Sequence, residues 1–180
     1  MIRLLDIFFS LIGIIILLPL MFFIFLIGFL ESNSPIFKQH RVGLNQNTFL
    51  LIKFRTMKTD TFSAATHHID SSKITNFGKF LRKTKIDEIP QLFNVLKGDM
   101  SLVGPRPCLL NQLELIQERN KMNVFKVRPG ITGLSQISGV NMQTPALLAK
   151  TDLKMIKSFN LFYYFLYIFK TLLLLLKKSV

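Results

Sequence analysis

The tightest constraint on this chain is a stretch without charge. From Ile7 to Leu30 no side chain is ionisable at neutral pH, and as a helix rising 1.5 Å per residue the stretch reaches about 36 Å, enough to match a bilayer core. It is too long for the apolar part of a signal peptide, and no small-residue cleavage site follows it. Pro19 stands in its middle. A proline there removes a backbone hydrogen bond and clashes with the preceding turn, so the helix is expected to kink or break. Basic residues flank both ends, Arg3 before it and Lys38, His40 and Arg41 after it. A simple span carries Lys and Arg asymmetrically. The symmetry here favours a re-entrant helix-break-helix, entering and leaving at the cytoplasmic face, over a kinked span.

The C-terminal end also leans toward lipid. Phe159 to Leu176 is rich in Phe, Tyr and Leu but contains Asn160, Lys170 and Thr171 and is followed by Lys177 and Lys178. Aromatic and lysine side chains suit the water-lipid boundary, so an interfacial helix is expected, with a buried core helix as the alternative. Just before it, Lys150, Lys154 and Lys157 share one helical face and Leu148, Ala149, Met155 and Ile156 the opposite one. The lysine face reads as solvated or as a head-group contact.

Between these ends, from Ser34 to Ser158, lies one small domain's worth of chain. The expected organisation is therefore a membrane helix over 1–33, a cytoplasmic domain over 34–158 and an interfacial helix over 159–180. The fold class is α+β, mostly helical, with short strands. "NTFLLIKFRTM", Asn47 to Met57, reads as a strand with basic side chains among apolar ones. Lys58 to Lys73 is polar and aperiodic and reads as a loop. His67 and His68 within it lack a Glu or Cys at ligand spacing and read as a solvated pair. The single cysteine, Cys108, excludes an internal disulfide and reads as a small buried hydrophobe in a reducing compartment. With 23 Lys and Arg against 10 Asp and Glu, a formal net charge of +13, the chain asks for anionic partners: nucleic acid, lipid head groups or a phosphorylated substrate.

Against that charge, "KIDEIPQLFNVLKGDMSLVGPRP", Lys85 to Pro107, sets two adjacent acids, Asp87 and Glu88, just ahead of a helix start. Pro90 suits a first helical turn, Leu92, Val95 and Leu96 fall at helical spacing, and Gly98 is a natural terminator. Free amides and the positive end of the helix dipole favour anions there. The bland reading makes Asp87 an N-cap, worth about 1 kcal/mol, and Glu88 a dipole partner. The surrounding chemistry suggests more. Arg82, Lys83 and Lys85 lie upstream, Arg106 lies downstream, and Lys53 and Arg55 come from the expected strand. A phosphate ester with a divalent cation would use both signs of charge, since Mg²⁺ takes one or two carboxylate oxygens and shares its other positions with water and phosphate. One carboxylate could then attack phosphorus while the other holds metal.

These residues resemble the bacterial sugar transferase family, the small monotopic phosphoglycosyl transferases that begin polyprenol-linked glycan assembly. The resemblance runs through "SPIFKQHRVG" at Ser34 to Gly43, "FLLIKFRTM" at Phe49 to Met57, "FGKFLRKTKIDEIPQLFNVLKGDMSLVGPRP" at Phe77 to Pro107 and "VRPGITGLSQISG" at Val127 to Gly139. It implies transfer of a sugar 1-phosphate from a UDP-sugar to a polyprenyl phosphate, usually undecaprenyl phosphate, with release of UMP. It further implies Asp87 as the nucleophile of a covalent phosphosugar intermediate and Glu88 as its partner, with Mg²⁺ near both. Arg82 and Arg106, with Lys53, would belong to the phosphate and nucleotide environment, and the loop from Arg128 to Gly133 would line the site. Pro19 matches the proline that breaks the family's membrane helix. The implied place is the bacterial inner (cytoplasmic) membrane, monotopic, with the catalytic domain toward the cytoplasm and membrane lipid as a partner; a homo-oligomer is left open.

The chain departs from the family at four points. Leu18 stands where members often have Ser, Val140 follows Gly139 where Arg is common, Met155 replaces a Tyr, and Tyr164 takes the place of an acidic residue. Three other classes compete with a transferase. A nucleic-acid-binding protein would explain the charge, but the basic residues are dispersed and no binding motif is present, so no nucleic acid partner is expected. A glycosidase sets its carboxylates about 5 to 9.5 Å apart across a sugar, which adjacent residues fit poorly. A non-catalytic scaffold of a glycan-assembly complex would tolerate loss of Asp87.

Overall fold

In the computed structural model, which describes residues 1–58 and 73–179, the uncharged stretch becomes α1, Ile2–Ser32, ended by Asn33 in the left-handed region. The helix is unbroken through Pro19. The expected helix-break-helix is thus corrected to one continuous helical element: a proline costs one hydrogen bond and a clash, and an exposed position lets a long helix absorb both locally. Asp6, Ser10, Ile14, Ile24 and Gly28 are buried along one stripe. On the remaining surface, large side chains such as Leu4, Ile15, Phe22, Phe23 and Leu30 are exposed. A patch of that extent asks for lipid or another apolar cover.

After α1 come β1 (Ile36–Val42) and β2 (Thr48–Phe54), paired antiparallel, with β4 (Cys108–Leu109) on the other side of β1. The expected strand at Asn47 to Met57 is present as β2; β1 is an additional strand. A second sheet pairs β3 (Ser101–Val103) in parallel with β5 (Gly130–Thr132). Its strands approach closely enough that a Cβ on Gly130 would stand 2.0 Å from the Gly104 nitrogen. Between β2 and β3 lie α2 (Asn76–Thr84) and α3 (Gln91–Lys97). Thr75 caps α2 by accepting from the Gly78 N–H at 2.9 Å, and Gly98, at φ 98°, ends α3 as expected.

The chain closes with α4 (Leu113–Lys121), the short α5 (Leu134–Ile137), α6 (Pro145–Ser158) and α7 (Leu161–Ser179). Lys150, Lys154 and Lys157 are exposed on α6 while Leu148, Ala149 and Met155 are buried. Helix α7 combines both readings offered for it. Tyr164 and Tyr167 are buried with Val103 and Met155, against Ile2 and Leu5 of α1, whereas Phe162, Phe169, Leu172 and Leu176 are exposed. Cys108 is free and buried, and burial pushes its thiol up. Most of the loop from Lys58 to Lys73, with His67 and His68, lies outside the described residues; at its ends the Lys58 N–H donates to the Lys73 carbonyl at 3.1 Å.

Candidate active site

Three elements present the acidic pair. Helix α2 ends at Lys85, which adopts φ 60°. This left-handed residue reverses the chain into a single 3₁₀ turn, Ile86–Glu88, and Pro90 then caps α3. Asp87 is therefore not the N-cap of α3, and the bland reading of it fails: the pair occupies its own turn between two helices. The turn aims Asp87 inward, leaving it 4% exposed, and keeps the Glu88 side chain at 22%. The Asp87 Oδ1 atom is buried without a hydrogen-bond partner among the described residues. Buried polar atoms are seldom left so, and an unpartnered one points to a role other than stability.

Strand β2 brings one cation, Lys53, from the opposite side. Asn94 of α3 ties itself to the strand twice, donating from Nδ2 to the Leu50 carbonyl at 2.8 Å and accepting at Oδ1 from the Ile52 N–H at 3.0 Å. Lys53 follows directly. It pairs with Phe37 across the β1–β2 ladder, and its Nζ lies 5.3 Å from the centre of that ring. Arg82 reaches back from α2, its Nε donating to Thr56 Oγ1 at 2.8 Å. Around Glu88 Oε1, Lys85 Nζ lies at 3.6 Å and Arg106 Nη2 at 3.7 Å, distances of ion pairs rather than tight hydrogen bonds.

Burial dominates the electrostatics. It raises the Asp87 carboxyl to about 6, with the Glu88 charge adding to it, while Lys53, Lys85 and Arg82 pull it back. Lys53 falls to about 8, chiefly because it is desolvated, although Asp87 and Glu88 hold it up. Arg82 is also lowered by burial and supported by Asp87. At neutral pH Asp87 is still mostly ionised and Lys53 mostly protonated. The site thus holds a poorly solvated carboxylate among cations, the condition of an activated nucleophile.

Two clefts meet beside the acidic turn. One, of about 410 Å³, is mixed, lined by Arg41, Lys85, Arg106, Gln136 and Asn141 on one hand and by Leu109, Val140 and Met142 on the other. The other, of about 430 Å³, is mostly apolar and runs between Leu17 of α1, Leu92 of α3 and Leu174 of α7, with Glu88 and Arg106 at its edge. Lys85, Arg106 and Gln136 border both. The structure therefore brings Asp87, Glu88, Lys53, Arg82 and Arg106 to one place. It does not bring Arg128 there. Its Nε donates to the Gly98 carbonyl at 2.8 Å, and it lines a separate cleft with Arg3 and Asp6. Pro19 lies two residues beyond Leu17, on the exposed side of α1.

Sequence reasoning missed two arginines. Arg41 of β1 lines the mixed cleft, donating to the Pro107 carbonyl and to Gln39 Oε1; burial, then Arg106, lowers it to about 10. Arg119 is 2% exposed and forks onto Asp152 Oδ2 from Nε at 3.0 Å and Nη2 at 2.6 Å. Its Nη1 donates to the Arg106 carbonyl at 2.8 Å, and Ser135 donates to Asp152 Oδ1 at 3.0 Å. This buried pair fixes the backbone that carries Arg106. In sequence Arg119 sits inside "QERNK", which looks like a solvated charge run, and nothing beside it marks a partner.

The sequence pattern of the family described as bacterial sugar transferase matches residues 1–178. The chain belongs to the bacterial sugar transferase family. This sugar transferase is 49% identical over 113 residues to an uncharacterized sugar transferase of Bacillus subtilis (strain 168), a match over 62% of this chain and 55% of the relative. It is 35% identical over 175 residues to the UDP-N-acetylgalactosamine-undecaprenyl-phosphate N-acetylgalactosaminephosphotransferase of Aeromonas hydrophila, covering 93% of this chain and 41% of the relative. With the UDP-glucose:undecaprenyl-phosphate glucose-1-phosphate transferase of Xanthomonas campestris pv. campestris it shares 40% identity over 126 residues, 66% of this chain and 26% of the relative. The sugar transferase thus spans about half or less of the length of these three relatives.

Proposed function

We propose that the protein transfers a sugar 1-phosphate from a UDP-sugar to a polyprenyl phosphate, undecaprenyl phosphate by the names of the relatives, releasing UMP and starting the assembly of a polysaccharide or glycoconjugate. The observation that carries this reading is the buried, unpartnered Oδ1 of Asp87 in a turn whose Lys85 and Glu88 border two clefts, one mixed and one mostly apolar, that share Lys85 and Arg106. In the first displacement an Asp87 carboxylate oxygen attacks the sugar-bearing phosphorus of the donor. The bond to the bridging oxygen breaks, and that oxygen leaves with UMP. In the second, a phosphate oxygen of the acceptor attacks the same phosphorus, and the bond to Asp87 breaks with return of the carboxylate. Lys53, Arg82, Lys85 and Arg106 offset the repulsion between anions in each displacement.

Asp87 and Glu88 fit a magnesium ion. The Asp87 Oδ1 atom has spare coordinating capacity, and Glu88 is held only by long ion pairs. Two carboxylates are enough for an ion that takes one or two of them and completes its shell with water and phosphate. When bound, the ion would neutralise charge on the transferred phosphate.

A monotopic arrangement at the cytoplasmic face of the inner membrane is part of the reading. The domain lies along α1 from Arg3, which donates to the Val95 and Leu96 carbonyls, to Ile24, which packs with Phe54 and Leu81. A straight span would carry Glu88, Lys85 and Arg106, which share a cleft with Leu17, to the middle of the bilayer, where ions are costly. A helix lying obliquely within one leaflet, its exposed apolar face toward lipid, avoids that cost. The test is UMP release by membrane-extracted protein supplied with Mg²⁺, polyprenyl phosphate and a panel of UDP-sugars. UMP that depends on one sugar and disappears in Asp87→Asn supports transfer and identifies the donor. Folded protein that releases no UMP above the level of that variant favours the scaffold.

A further inference from the structure

We infer that the cleft between α1 and α7 is the groove for the isoprenoid phosphate acceptor, and that α7 supplies one of its walls. The inference rests on the transferase reading and assigns the second substrate a place. Its walls are hydrocarbon from three helices: Leu17 from α1, Leu92 from α3, and Leu174 and Leu175 from α7. The one hydroxyl pair in it is internally used. The Thr171 hydroxyl donates to the Tyr167 carbonyl at 2.8 Å, so in its contact with Thr132 Oγ1 Thr132 is the donor, which pins α7 to β5. The polar groups gather at one end, where Lys85, Glu88 and Arg106 stand.

An occupant must therefore have an anionic head and a hydrocarbon body. A phospholipid has those features too, but the head position decides between them. Glu88, the neighbour of Asp87, lines this cleft with Lys85 and Arg106 and is paired with both, so a phosphate bound from the apolar side lies beside the turn that would carry the phosphosugar. That is required of the acceptor and of no bulk lipid. Only the head and the nearest part of the chain need about 430 Å³. The rest can follow the exposed Leu18 and Phe22 of α1 into lipid, at no cost in exposed hydrocarbon.

The full chain in nanodiscs, with undecaprenyl phosphate bearing a diazirine on its first isoprene unit, tests the placement without catalysis. Label is expected on Leu17, Leu174 and Leu175, displaced by unlabelled undecaprenyl phosphate and not by excess phosphatidylglycerol. Equal labelling of Phe22 and Leu172, or equal displacement by phosphatidylglycerol, overturns the groove. A second arm uses turnover. Leu174→Trp should raise the acceptor KM about tenfold, as overpacking a fitted apolar site does, with the donor KM moved less than twofold. Leu172→Trp, on the exposed face, should change neither. An unchanged acceptor KM in Leu174→Trp contradicts the inference. Absence of UMP from the wild-type protein would instead remove the transferase reading, while the displacement pattern of the label still decides the groove.

Discussion

Replacing Asp87 by Asn should abolish transfer and make the protein more stable above pH 6. The carboxyl is raised from 3.8 to about 6, first by burial and then by Glu88. Between these values the folded state binds more protons than the unfolded one, so stability falls as pH rises through that window and stays low above it. Each unit is worth about 1.4 kcal/mol, so ionised Asp87 costs the fold on the order of 3 kcal/mol at pH 8. Asn has the shape of the protonated acid and carries no such penalty. For a chain of 180 residues, a kilocalorie moves Tm by about 2–4 °C, so a gain of roughly 6–12 °C is expected at pH 8. It should shrink to nothing near pH 4. The assay is thermal unfolding of both proteins in one detergent with EDTA present, at half-unit steps from pH 4 to 8. An Asn variant less stable than wild type at pH 8, or a difference that ignores pH, would refute the burial argument.

Other outcomes follow from the same geometry. Initial rates of UMP release should rise with pH through about 6 as Asp87 ionises and fall through about 8 as Lys53 loses its proton; a profile flat from pH 5 to 9 would contradict both assignments. Arg119→Met leaves Asp152 buried and unpaired and should cost about 3–5 kcal/mol, with Arg119→Met/Asp152→Leu recovering much of it, as read by thermal unfolding. Asp6 accepts from Ser101 Oγ, the Leu102 N–H and Tyr164 Oη, each at 3.0 Å. Asp6→Ala should therefore cost about 1–3 kcal/mol, and increased proteolysis between α1 and β1 would register the loosened helix.

What the sequence could and could not carry follows from how local each signal is. The length and apolarity of α1 are properties of consecutive residues, and so are the cap at Gly98 and the lysine face of α6. Family membership rested on "KIDEIPQLFNVLKGDM" and its neighbouring blocks, where order and spacing suffice. Pro19 announced a break because its clash is local, but whether a helix yields or bends depends on room beside it, which sequence does not contain. Strand β1, "IFKQHRV", hid because Lys38, Gln39, His40 and Arg41 follow one another without the alternation that marks a strand, and only the pairing with β2 holds them extended. Burial of Asp87 needed β2 on one side and the reversal at Lys85 on the other. The Arg119–Asp152 pair spans 33 positions, and neither partner is marked by its neighbours. Arg128 was drawn into the site by its motif; the Gly98 carbonyl, brought near by folding, holds it elsewhere.

The central claim is that Asp87 carries the sugar phosphate between the two clefts. Intact-mass analysis of protein mixed with its UDP-sugar and Mg²⁺, without acceptor, tests it most directly. The account predicts one added sugar phosphate per chain, mapped to the peptide containing Asp87, absent from Asp87→Asn and discharged by polyprenyl phosphate. Full turnover with both substrates, but no adduct trapped on rapid quenching and initial-rate patterns showing that both must bind before UMP leaves, would contradict it.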